Sequence, residues 1–132
     1  MTNEIPIELT LLIWAAALTI VQMLVSALGS ISQIGLSTLA GNRDNLTDTT
    51  GWASRAQRAH RNMLESIAVF AILVLSANLM NISNDMTVLG AQLFFWGRIA
   101  FSIIYVAGIP WVRTAAWGVS LVGPILIFLQ LI

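Results

Sequence analysis

The side chains in this sequence that could hold or activate a ligand are gathered in a few places. Arg55-Ala56-Gln57-Arg58-Ala59-His60-Arg61-Asn62-Met63-Leu64-Glu65 holds three of the six arginines, the only histidine and one of the three glutamates. On a helix that turns roughly 100° per residue, Arg55, Arg58, Arg61, Asn62 and Glu65 fall within an arc of about 120°. Further on, Arg98, Ser102 and Tyr105 share a helix face, and Arg113 follows. Guanidinium groups bind carboxylates bidentately, so the excess of arginine over carboxylate in these stretches suits a small anionic ligand. Asn62 both donates and accepts, as a peptide-like ligand requires. Glu65 could hold a ligand ammonium, and Tyr105 could donate to a thiol or carbonyl.

Each of these residues also has a plainer reading. Arg55 is expected to meet anionic lipid headgroups, and His60, off the centre of the arc, to cap a helix or stay solvated. A buried carboxylate left alone is driven to protonate, and a lone buried arginine carries an uncompensated charge. Arg98 and Glu65 are therefore expected to pair, directly or through one polar group, as a packing clamp.

These groups must be positioned inside a membrane. The chain has 132 residues, of which 58% are hydrophobic and 9% charged, with mean hydropathy +0.85; soluble domains carry about 25% charged residues. Formal net charge is zero and lysine is absent, which excludes a nucleic-acid footprint. Without cysteine there is no disulfide and no thiolate nucleophile or ligand, and a single histidine builds no multi-histidine metal site. Met1 to Glu8 is acidic and lacks the basic start of a signal peptide, so the first apolar segment is expected to be a retained helix.

Apolar stretches long enough to span, at about 20 residues each, predict four transmembrane helices, over about 7–34, 54–80, 87–108 and 111–132, as a single all-α bundle covering 1–132. Gln22, Ser26, Ser30 and Gln33 recur along the first at helical spacing beside Gly29, a pattern that favours close helix packing and interhelical hydrogen bonds. Residues 36–54, with Gly41, Asn42, Arg43, Asp44 and Asn45, read as a polar extramembrane connection. Gly108 and Pro110 end the third helix. Arg43, Arg55, Arg58 and Arg61 crowd the first connection and Arg113 flanks the third, so the positive-inside rule places both in the cytoplasm and both termini outside. That topology brings Arg113 towards Arg58, Asn62 and Glu65.

Arg58-Ala59-His60-Arg61-Asn62-Met63-Leu64-Glu65 resembles the second-helix signature of the MAPEG superfamily, the membrane-associated proteins of eicosanoid and glutathione metabolism. Phe95-Trp96-Gly97-Arg98, then Tyr105 and Arg113, is similar to the pattern of that family's third and fourth helices. The resemblance implies a homotrimer of four-helix protomers that binds glutathione as co-substrate between neighbours, near the cytoplasmic face. It implies that Arg58, Arg61, Asn62, Glu65, Arg98 and Tyr105 bind glutathione or support its site, and that Arg113 stabilises the thiolate. A hydrophobic electrophile or lipid hydroperoxide would reach that thiolate from the bilayer. Three positions depart from the pattern: Gln33 stands where the eicosanoid enzymes have a basic residue, Phe101 where an aromatic hydroxyl or imidazole is expected, and Trp117 where several members have tyrosine.

The expected function is thus a glutathione-dependent transferase or peroxidase, with a bacterial inner membrane as its location. The alternative is a non-catalytic lipid-binding or scaffold protein of the same fold. A small multidrug transporter, also built from four helices, would need a carboxylate within the core of the first helix, where this chain has only Glu8 at the outer edge.

Overall fold

The structure, a computed structural model, describes residues 4–44 and 46–132. Met1, Thr2 and Asn3 of the acidic start, and Asn45 of the first connection, lie outside the described residues. Five helices follow one another: α1 (Ile7–Ile34), α2 (Leu36–Ala40), α3 (Gly51–Leu79), α4 (Asp85–Ala107) and α5 (Pro110–Leu131). α1, α3, α4 and α5 are each long and apolar enough to cross a membrane, and the protein is an all-α integral membrane bundle.

Local chemistry sets the ends of these helices. Gly35, at φ 101°, stops α1 in a backbone region that glycine enters without strain. The residues after it contain no breaker until Gly41, and they form the single-turn α2 inside what the sequence predicts to be an irregular connection. α3 closes where Asn81 enters the left-handed region (φ 59°) and Ile82 N–H donates to Ala77 O at 2.9 Å. Asn84 then starts α4 ahead of the predicted position. Its side chain accepts from the N–H groups of Met86 (2.9 Å) and Thr87 (3.0 Å), and Asn84 N–H donates to Thr87 Oγ1 at 2.8 Å. Gly108, left-handed at φ 84°, ends α4, and Pro110 occupies the first turn of α5, where its missing N–H costs nothing.

The interior is small and the lipid-facing surface large. Phe70 of α3 stacks on Phe94 of α4 with ring centroids 4.1 Å apart, and Leu11, Ala15, Met63, Val74, Ala91 and Ile127 fill the space around them. Trp14, Leu24, Leu28, Ile72, Ile103 and Leu129 point outwards, as hydrocarbon permits. The closest crossing joins α4 to α5. A Cβ placed on Gly90 would stand 2.5 Å from Gly123 O, one on Gly123 would overlap Gly90 O, and one on Gly97 would lie 3.0 Å from Ser120. Only glycine allows this backbone approach, which is how small residues tighten helix pairs in lipid.

Polar side chains join the helices at both ends. At one end the buried carboxylate of Glu8 accepts from Ser83 Oγ (3.1 and 3.2 Å) and Thr87 Oγ1 (3.4 Å), tying α1 to the start of α4. At the other, Gln33 exchanges a reciprocal pair of bonds with the backbone of Thr50, both 2.8 Å, and Gln57 Nε2 donates to Ser30 Oγ at 2.6 Å. Two residues of the polar stripe of α1 are thus used here: Ser30 bonds to α3, and Gln33 pins the first connection to α1.

Replacing Asn84 by Ala removes both cap bonds and is expected to destabilise the protein by about 1 kcal/mol, read as a lower midpoint of thermal unfolding followed by helical circular dichroism in detergent. Gly123→Val is expected to be far more damaging and to abolish recovery of folded protein from membranes, whereas Gly118→Ala, where added atoms meet open space, leaves the yield unchanged.

Candidate functional site

The polar residues of the sequence divide between two faces of α3. On the face towards α4 and α5, four side chains form a ladder of two neighbouring rings with a cation at each end. The Arg98 guanidinium lies 4.3 Å from the centroid of the Phe101 ring, and Phe101 meets Tyr105 edge-on at 5.3 Å. The Arg113 guanidinium, carried in from α5, rests 4.5 Å from the Tyr105 centroid. Arg98, Phe101 and Tyr105 lie one helical turn apart along α4. Guanidinium over an aromatic face is favourable by about 0.5–2 kcal/mol, more when desolvated.

Arg58 reaches this ladder from α3. Its Nε donates to Tyr105 Oη at 3.2 Å and its Nη1 to Ser54 Oγ at 2.7 Å. The Tyr105 oxygen therefore accepts from a cation and keeps its own proton to give away. One turn deeper, Asn62 Oδ1 accepts from Arg98 Nη2 at 2.8 Å.

Two recesses open beside these groups. One, about 280 Å³, is lined by Asn62, Phe101, Tyr105, Arg113, Thr114 and Trp117. The other, about 290 Å³, lies between α3 and α5 and contains Glu65, Val69, Phe94, Leu121 and Pro124. Asn62 and Trp117 line both, so the recesses adjoin. Each falls just short of the roughly 300–1,000 Å³ of ordinary ligand pockets; joined, they lie within it. The upper part is cationic at Arg113, and the lower part is mainly apolar, with Glu65, Ser66 and Ser120 as polar groups in its wall.

Several residues stand elsewhere than the sequence suggests. Arg98 does not pair with Glu65: among the described residues its one side-chain hydrogen bond goes to Asn62, while its Nε and Nη1 have no partner. The cause is the helical phase. Asn62 faces Arg98 across the α3–α4 contact, whereas Glu65, three residues on, turns to the exposed side of the second recess. Arg55 does not extend towards lipid headgroups. Its Nε donates to Val106 O at 3.0 Å, placing a cation on the last carbonyls of α4, where the helix dipole favours it. Arg61 lies away from the ladder. With Arg43 and His60 it lines a larger recess of about 630 Å³ on the α1 side of α3, and His60 Nδ1 is sealed from solvent with no partner among the described residues. Arg58, Asn62, Arg98, Tyr105 and Arg113 are thus brought together in one protomer; Arg61 is not, and Glu65 joins only through the adjoining recess.

Sequence reasoning treats Phe101 as a missing polar group, yet here it is the ring that separates and braces Arg98 and Tyr105. Its spacing, three residues after one and four before the other, carries that signal. Gln22 makes the kind of interhelical bond expected of its stripe, and it does so at the site. Its Nε2 donates to Ser102 Oγ, which in turn donates to Arg98 O at 2.7 Å, so α1 reaches the ladder through two hydrogen bonds.

No match was found among curated proteins or among solved structures. The sequence profile of the MAPEG family does match, over residues 9–132 and hence all four spanning helices. With that match and this bundle, the chain belongs to the MAPEG family of integral membrane proteins.

Proposed function

We propose that the protein is a glutathione-dependent membrane transferase or peroxidase that acts on hydrophobic electrophiles or lipid hydroperoxides. The observation that carries this reading is the adjoining pair of recesses, one cationic and one mainly apolar, with Asn62 and Trp117 between them. Family membership gives the same direction, towards membrane-bound glutathione chemistry. The residues suit the tripeptide by type. Arg58 offers a fork to a carboxylate, Asn62 a donor to a carbonyl or carboxylate, Tyr105 a hydroxyl proton, and Glu65 a partner for an ammonium.

Arg113 is the catalytic group in this reading. A cation beside a thiol favours the thiolate, which is the nucleophile. With a chloronitroaromatic acceptor, the thiol proton is lost to solvent, a carbon–sulfur bond forms, and chloride leaves with the bonding pair. Trp117 and the apolar wall of Val69, Leu121 and Pro124 exclude water from the acceptor side.

A homotrimer belongs to the same proposal. Arg61, with Arg43 and His60, lines a recess on the opposite side of α3, so a neighbouring protomer could add these cations to the open side of the cleft. Topology completes it: the Arg55, Arg58 and Arg113 ends of the helices face the cytoplasm of a bacterial inner membrane, and both termini lie in the periplasm.

Purified protein is expected to conjugate glutathione with 1-chloro-2,4-dinitrobenzene, and Arg113→Ala to slow this about 100-fold at neutral pH, the scale seen when one charge-stabilising donor is removed. Equal rates, or no reaction in either, would remove Arg113 from the chemistry. Calorimetric titration that shows no heat with glutathione but binding of a lipid would assign the protein to the lipid-binding alternative. Native mass spectrometry from detergent is expected to give three copies, and a monomer would end the intersubunit part of the proposal.

A further inference from the structure

We infer that Arg98 is a positioning residue for the ligand rather than a contact to it: it locks the side-chain amide of Asn62 so that Nδ2 faces the cleft as a fixed donor. The ligand group that this donor selects is a carboxylate or a peptide carbonyl. The inference rests on the reading that the cleft takes an anionic, peptide-like ligand, and it moves Arg98 from the set of groups that touch it.

Exposure gives the first reason. Arg98 is 0% exposed, one of the largest side chains in the protein with no accessible surface, whereas Asn62 is half-buried and lines both recesses. A molecule in the cleft can touch Asn62 and cannot touch Arg98 without unpacking α3 from α4.

Directionality gives the second. A guanidinium only donates, and a side-chain amide has one accepting end and one donating end. The 2.8 Å bond from Arg98 Nη2 therefore fixes Oδ1 towards α4 and turns Nδ2 the other way. Among the described residues Nδ2 bonds to no protein group, and it is not one of the polar atoms sealed from solvent. It is an open donor.

Cost gives the third. Among the described residues, Arg98 is buried with two nitrogens unpartnered and no carboxylate bonded to it. Packing alone would be better served by an apolar residue of similar volume, since replacing buried ionic groups in that way is often neutral or stabilising. The guanidinium is held in place nonetheless: the Phe101 ring centroid lies 4.3 Å from it and Asn62 accepts from it, while Ser102, itself held by Gln22 of α1, donates to the backbone carbonyl of Arg98 and fixes the turn that carries it. Such bracing suits a group whose task is to hold another in one orientation.

The test is a double-mutant cycle on Arg98→Met and Asn62→Ala, which separates a residue acting through its neighbour from one acting alone. Arg98→Met is expected to raise the KM for glutathione at least tenfold, with kcat within threefold of wild type and no fall in the thermal midpoint. In the Asn62→Ala background the same substitution is expected to leave KM unchanged, because no amide remains to orient. Multiplying effects would mean that Arg98 meets the ligand itself and would overturn the inference. Nitrogen-15 spectra of the protein in micelles ask the same question without a ligand. Wild type should give one Asn62 side-chain NH₂ pair, broadened by a soluble relaxation agent, and Arg98→Met should give a doubled or averaged pair. An unchanged Asn62 signal in Arg98→Met overturns the inference. If no form turns over glutathione but the NMR change appears, the orientation of Asn62 stands and the glutathione reading fails.

Discussion

A guanidinium with no accessible surface lies at the meeting point of α3 and α4, and most of the polar architecture is arranged around it. Hydrocarbon offers it nothing: insertion of a charged side chain at the centre of a spanning helix costs about 2.5–3.5 kcal/mol on translocon scales. Among the described residues, the demand is met with one amide, one ring face and a tightly packed shell rather than with a counter-charge. The arrangement propagates outwards. Phe101, which shields Arg98, also sets the edge of Tyr105, and Tyr105 supports Arg113 from the next helix. Three helices are thereby registered at one depth, and the two recesses exist because that register leaves space on either side of Trp117.

The glycine seam between α4 and α5 is the second constraint. Arg113 arrives over Tyr105 because Gly90, Gly97 and Gly123 let the two backbones approach to near contact. In water such a seam would compete with the drive to bury large side chains. In lipid that drive is absent between helices, and close backbone packing takes its place. The small residues of α4 and α5 therefore belong to the geometry of the site as much as Tyr105 does.

Much of this was legible in the sequence. Four apolar segments and sparse charge give the bundle, and Gly108 with Pro110 gives the break between α4 and α5. The convergence of Arg58, Asn62, Tyr105 and Arg113 follows from helical phase combined with alternating topology. The partner of Arg98 did not follow, because phase places Asn62 and Glu65 in one arc and only the rotation of α3 against α4 decides which of them faces inwards. Arg61 falls on a different groove of the same protomer for the same reason, since an arc of about 120° is wide enough to be divided between two neighbouring grooves. α2 was missed because a single turn has no periodicity to detect, and the Asn84 cap because its signal is local and sits among turn residues that read as a loop.

The close crossing of α4 and α5 also limits how the molecule can breathe. Sliding or tilting these two helices would drive the carbonyl oxygens of Gly90 and Gly123 into the opposing backbone, so this seam resists relative motion. The apolar recess, by contrast, lies between α3 and α5, where Val69 and Leu121 meet no such barrier. For the lipophilic acceptor of the proposed reaction, the width to which α3 and α5 can separate would set the upper limit on its girth.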